Sequence, residues 1–144
     1  MVTESTSEPI HIERNPLGVF TFYSDYAIAE WHNPEIDSFA FMRMEKVAKS
    51  VYAGRRWGYI SNRTHATVSN PNAVYQMLQR DFTPVAVAIV TYSMRSQIVA
   101  RIEKDYCKSV SLEIFTNLDN AIKWVQEQVN QVDSQTKENQ NLFA

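Results

Sequence analysis

The chain has a single cysteine, Cys107, among its 144 residues. One thiol makes no disulfide within the chain and completes no multi-cysteine metal site. A reducing compartment is the simpler home for such a sequence, and a cytoplasmic location is expected. Glycine is also scarce, at three residues, which leaves no material for a phosphate-cradling loop. The patterns G-x-x-x-x-G-K-[ST], G-x-G-x-x-G and G-x-S-x-G are all missing. His11, His32 and His65 fall at no metal-ligand spacing, so neither a metal nor another cofactor is expected. No run approaches the roughly 18 apolar residues of a membrane span. The opening MVTESTSEP lacks the basic and apolar regions of a signal peptide. With a net charge of −2 and scattered Lys and Arg, the positive field of a nucleic-acid binder is missing too. No base and nucleophile pair can be named, and the chain is expected not to be an enzyme.

What the chain does have is rings and apolar bulk. Seven Phe, seven Tyr and three Trp accompany 44% hydrophobic and 21% charged residues, a globular composition of single-domain size. The polar stretches 1–9 and 133–144 read as flexible tails around a domain spanning residues 10–132.

Within that domain, residues 18–24 (GVFTFYS) and 27–32 (AIAEWH) are dense in β-branched and aromatic side chains. They predict an antiparallel hairpin, with residues 10–13 as a further short strand. Asn33, Pro34 and Glu35 form a helix-start signal, followed by Ile36, Phe39, Ala40, Met44, Val47, Ala48 and Val51 at helical spacing, with Gly54 as the stop. Strands are expected at 57–61 (WGYIS), 84–92 (PVAVAIVTY) and 109–115 (SVSLEIF). The unbroken apolar run of the middle one fits a strand covered on both faces. Helices are expected from Pro71, over residues 93–106, and from about Thr116 to Val132. The order predicts an α/β domain: a mixed sheet with an N-terminal β-hairpin, a parallel block and about four helices.

Candidate functional residues gather in one loop. Arg63 and His65 lie past the 57–61 strand, ahead of the helix start at Asn70-Pro71. Helix N-termini and the carboxyl ends of parallel strands both favour anion sites, so Arg63, His65 and Asn70 form a candidate anion- or partner-binding loop. Ser69 stands in the turn before the cap, where a phosphate would face the positive helix end. Arg55 and Arg56 lie at the other end of that strand. Cys107, beside Lys108, reads as a half-buried structural thiol.

This order of elements resembles the STAS superfamily of anti-sigma-factor-antagonist domains, and within it the SpoIIAA-like branch. The likeness spans roughly residues 10–130. It rests on WGYIS and its loop, on PVAVAIVTY and on the ending SVSLEIFTNLDNAIKWVQEQV. In family members that act as switches, a serine at this helix start is phosphorylated by a partner kinase, within an Asp-Ser motif followed by small residues and Gly. Here the stretch reads Val68-Ser69-Asn70-Pro71, so Ser69 matches by position and lacks the motif. The resemblance implies a non-enzymatic regulatory or interaction module with an unknown protein partner, and a homodimer is a reasonable expectation. A small-ligand or lipid carrier of the same fold is the alternative, with Tyr59, Phe82 and Trp124 as pocket-lining rings.

Overall fold

The computed structural model describes residues 8–32, 35–64, 67–68, 71, 74–75, 84–107 and 110–142. Six strands build the main sheet: β1 (His11–Asn15), β2 (Gly18–Phe22), β3 (Tyr26–Trp31), β5 (Gly58–Arg63), β7 (Ala86–Thr91) and β8 (Ser111–Phe115), in that spatial order. The first three pair antiparallel, and from β3 onward every pairing is parallel. Two short strands, β4 (Glu35–Ile36) and β6 (Thr67–Val68), pair in parallel as a separate ribbon. Among the described residues there are three helices: α1 (Ser38–Tyr52), α2 (Met94–Tyr106) and α3 (Leu118–Leu142). This is the expected α/β domain on a mixed sheet. The helix expected from Pro71 lies mostly outside the described residues, although Pro71, Val74 and Tyr75 are helical.

Each face of the sheet carries its own core. On one face α1 and α2 cover Phe20, Phe22, Trp31, Tyr59, Val87 and Ile89. This side is rich in rings: Phe20 meets Trp31 edge-on at 5.0 Å, and Tyr52 stacks on Trp57 at 5.0 Å. On the other face α3 sets Ala121, Val125 and Val129 against Tyr26, Ile60, Ala88 and Val90. β7 sits between the two cores and is buried at all its positions, as the apolar run anticipates. None of the helices among the described residues is long and apolar enough to cross a membrane.

Several boundaries differ from the sequence reading, each for a local reason. Asn33 and Pro34 lie outside the described residues, and α1 starts after Asp37, whose carboxylate accepts from the Ala40 N–H at 2.9 Å. Glu35 and Ile36 are taken instead by pairing with Thr67 and Val68. Ala53 is the left-handed residue that closes α1 (φ 49°), and Gly54 follows it at φ 86°. Phe39, assigned to the apolar face, is 66% exposed. α3 is capped by Asn117, whose Oδ1 accepts from the Asn120 N–H at 3.0 Å. It continues to Leu142, through the stretch read as a tail. That stretch contains neither Pro nor Gly to stop a helix and is rich in good helix formers.

α3 approaches the sheet closely because β5 begins with a glycine. A Cβ added to Gly58 would stand 2.1 Å from Val125 Cγ1, well inside contact distance. Gly58→Ala is therefore expected to cost about 1–3 kcal/mol, read as a lower urea midpoint. Combining it with Val125→Ala should cost less than the two single changes added together, because the second change clears the space the first one needs.

Candidate interaction surface

α2 is the helix whose inner and outer faces are chemically reversed. It starts at Ser93, whose side chain accepts from the Ser96 N–H at 3.1 Å. Its buried positions are Ser96, Ala100 and Glu103: a hydroxyl, a methyl and a carboxylate. Positions two residues further along a helix lie about 200° away, on the opposite side. There stand Ile98 (53% exposed) and Ile102 (44%), flanked along the helix by Met94 (77%) and Tyr106 (41%). Single exposed apolar residues are ordinary, but a continuous apolar stripe over a polar buried face is not.

The inward carboxylate explains the reversal. Arg63, the last residue of β5, is 1% exposed and Glu103 is fully buried. The Arg63 guanidinium donates through both terminal nitrogens to the two Glu103 oxygens, with Nη2–Oε1 at 2.8 Å. Arg63 Nε donates to Ser61 Oγ at 2.8 Å, and Tyr75 Oη donates to Glu103 Oε1 at 2.6 Å. Further down the same face, Trp31 Nε1 donates to Tyr59 Oη at 3.2 Å. A planar guanidinium meeting a carboxylate with both nitrogens is the strong form of this pairing. Burial pulls against the charge on Arg63, but the Glu103 charge and hydrogen bonds outweigh it and leave the arginine more basic than usual. Tyr75 is held well above its ordinary range, first by burial and then by the Glu103 charge.

The candidate loop residues therefore divide. Arg63 is a strand residue rather than a loop residue, and its guanidinium points into the core onto Glu103. His65, Ser69 and Asn70 lie outside the described residues. Arg63 and Tyr75 flank that segment on either side, and both bind Glu103, so both of its ends are tied to α2. α2 also packs against β6, which leads into Ser69.

Other candidate chemistry is muted. Burial pushes the Cys107 thiol up, and its Sγ lies 3.8 Å from the Val110 carbonyl, a poor setting for a nucleophile. Among the described residues, no three His, Cys, Asp or Glu side chains converge to hold a metal ion. On the α3 face, Tyr92 Oη donates to Asn62 Oδ1 at 2.6 Å and Asn62 donates to Glu30 at 3.0 Å. The rings considered for a carrier pocket do not share one. Tyr59 belongs to the α1 core, Trp124 packs on Phe115 across the sheet, and Phe82 lies outside the described residues. A groove of about 810 Å³ runs between β1 and α1, lined by residues including Ile10, Phe39, Met42, Arg43 and Lys46, and it is open to solvent.

No protein-family model matches the chain, and no curated protein matches it. Among solved structures it is similar to an uncharacterized protein of the DUF3478 family from Shewanella loihica PV-4, which has a SpoIIAA-like fold. The two are 15% identical, with a TM-score of 0.50, over 80% of this chain and 90% of that one. The fold is SpoIIAA-like. At this identity the likeness speaks for architecture alone. In this SpoIIAA-like domain the reversed helix is the surface that sequence reading missed. Its signal was present, as Met94, Ile98, Ile102 and Tyr106 recur every fourth residue. Spacing alone marks an apolar face without saying which way it points.

Two outcomes follow for the buried cluster. Arg63→Met and Glu103→Leu are each expected to cost about 3–5 kcal/mol in urea unfolding, because each strands a buried partner. The double variant should lose less than the sum of the two. Tyr59 is pushed up to about 12 from its ordinary 10.0, chiefly by burial, and Tyr75 shifts the same way. The folded state therefore holds these protons more tightly than the unfolded chain does. Their contribution to stability is complete below pH 10 and lost as the pH climbs toward 12. Urea midpoints measured across that range should fall in step with phenolate absorbance.

Proposed function

We propose that this domain is a non-enzymatic interaction module that docks a protein partner through the outer face of α2, beside β6. The reversed polarity of α2 carries the reading. Turning Met94, Ile98, Ile102 and Tyr106 outward gives up apolar burial that the fold could otherwise use, and a docking partner would recover it. The SpoIIAA-like architecture supports a regulatory or interaction role. α2 also packs against β6, whose Thr67 and Val68 immediately precede Ser69 in the sequence, the position that corresponds to a switch serine in the family resemblance.

The quiet chemistry supports the same reading. The buried ionisable groups Arg63, Glu103 and Tyr75 are spent on one another, and Cys107 is held as a thiol. A carrier needs a pocket that encloses most of its guest, whereas the β1–α1 groove is open along its length.

A photoreactive residue in place of Ile98 is expected to give a discrete protein adduct, while the same residue in place of Phe39 on α1 gives none. Ile98→Asp with Ile102→Asp should reduce partner capture at least tenfold. As surface changes, they should move the melting temperature by no more than about 2 °C. Capture that survives this pair of changes, or that is lost equally on Phe39→Asp with Met42→Asp, would count against the reading.

A further inference from the structure

We infer that the outer side of α1 is a docking surface for a bilayer that carries anionic headgroups. This surface is separate from the α2 stripe and calls for a different class of partner. Its ground is charge. The stretch from Ser38 to Arg56 holds five Lys and Arg against a single acid, Glu45, in a chain whose net charge is −2. Glu45 is buried, while Arg43, Lys46 and Lys49 are exposed. At about 100° of turn per residue, Phe39, Lys46 and Ser50 follow one another along the middle of the outer side. Arg43 lies on one flank, and Met42 and Lys49 lie on the other.

Charge alone would suit any polyanion, and the apolar side chains on the same side select the bilayer. Phe39 and Met42 are both more than half exposed and stand just ahead of the cations along the helix. Ile10, also exposed, joins them across the β1–α1 groove, whose lining includes Arg43 and Lys46. Helices that lie on membranes combine these two features. Their bulky apolar side chains enter the headgroup boundary, and their Lys and Arg meet anionic lipid. A nucleic-acid backbone offers charge without an apolar layer to receive Phe39 and Met42. The groove is open to solvent, which fits an extended surface laid over it better than a single molecule held within it.

The acids of neighbouring elements stand at the margins of this surface. Asp37 caps the start of α1. Glu13 lines the β1 side of the groove with His11 3.5 Å away. Asp25 shares a cleft with Arg55 and Arg56 beyond the end of the helix. Between Phe39 and Ser50 the outer side of α1 itself presents cations and no acid.

Co-sedimentation with vesicles tests the inference, using phosphatidylcholine alone and phosphatidylcholine mixed with about one third phosphatidylserine. Binding to the mixed vesicles is expected to be at least about tenfold tighter than to the neutral ones. It should fall severalfold as salt rises from about 0.1 to about 0.5 M. Arg43→Glu with Lys46→Glu should weaken it at least about tenfold, and Phe39→Ser with Met42→Ser about fivefold or more. Lys123→Glu, an exposed charge reversal on α3 across the sheet, should change it less than about twofold. All these positions are exposed, so melting temperatures should stay within about 2 °C of wild type. A photoreactive residue in place of Phe39 should form adducts of lipid mass on the mixed vesicles. Absent binding to the mixed vesicles overturns the inference, as does equal binding to neutral ones. Binding that Phe39→Ser with Met42→Ser leaves intact, together with equally tight capture of duplex DNA, also overturns it and makes α1 a general polyanion surface.

Discussion

The buried pairing of Arg63 with Glu103 constrains more of this structure than any other single contact. A guanidinium and a carboxylate taken out of water are tolerable only when each satisfies the other, because an isolated buried charge costs far more than a hydrogen bond returns. Ser61 takes the Arg63 Nε–H and Tyr75 adds a donor to Glu103, so every guanidinium nitrogen has a partner within the protein. Its members come from the end of β5, from the helical turn around Tyr75 and from α2. These elements are brought together by the fold, so their relative placement is fixed where the charges meet.

The consequences run outward from there. Because Glu103 must face the sheet, α2 has little freedom to rotate about its own axis, and Ile98 and Ile102 turn away from the core. Because Arg63 and Tyr75 both bind Glu103, the segment between them is anchored to α2 at both ends, while Thr67 and Val68 pair with β4 in its middle. The buried ion cluster therefore joins the end of β5 and Tyr75 to α2. The opposite face of the sheet is built differently, with α3 seated on small and apolar residues around Gly58.

Much of this architecture could be read from the chain. PVAVAIVTY could only be a strand covered on both sides, and GVFTFYS with AIAEWH announced the hairpin through β-branched and aromatic density. The span of α2 was also legible. What could not be read were the features decided by distant partners. Asn33-Pro34 was a sound local start signal, but Glu35 and Ile36 paired with Thr67 and Val68, and the helix began only after Asp37. Arg63 looked like a loop cation because isolated arginines usually face water. Its place was decided by a carboxylate 40 residues away, and sequence spacing cannot show that. The four-residue recurrence in α2 was visible, but its outward direction depends on that same carboxylate.

The reversed helix also has to be reconciled with stability, since an exposed apolar face forgoes burial worth roughly 1.5–3 kcal/mol for each large side chain. Rotating α2 to bury Ile98 and Ile102 would carry Glu103 out to solvent and leave Arg63 charged and unpaired in the interior, a penalty of about 3–5 kcal/mol for the broken pair. Rotation would also drive branched side chains into space now occupied by Ala100, which is fully buried, and overpacking a filled interior costs a further 1–3 kcal/mol or so. The two penalties together match or exceed the gain from burying two half-exposed isoleucines. The present orientation is thus the better compromise within one chain, and it leaves Ile98 and Ile102 on the outside of α2. The device that settles the interior of this domain also turns the apolar side of α2 outward.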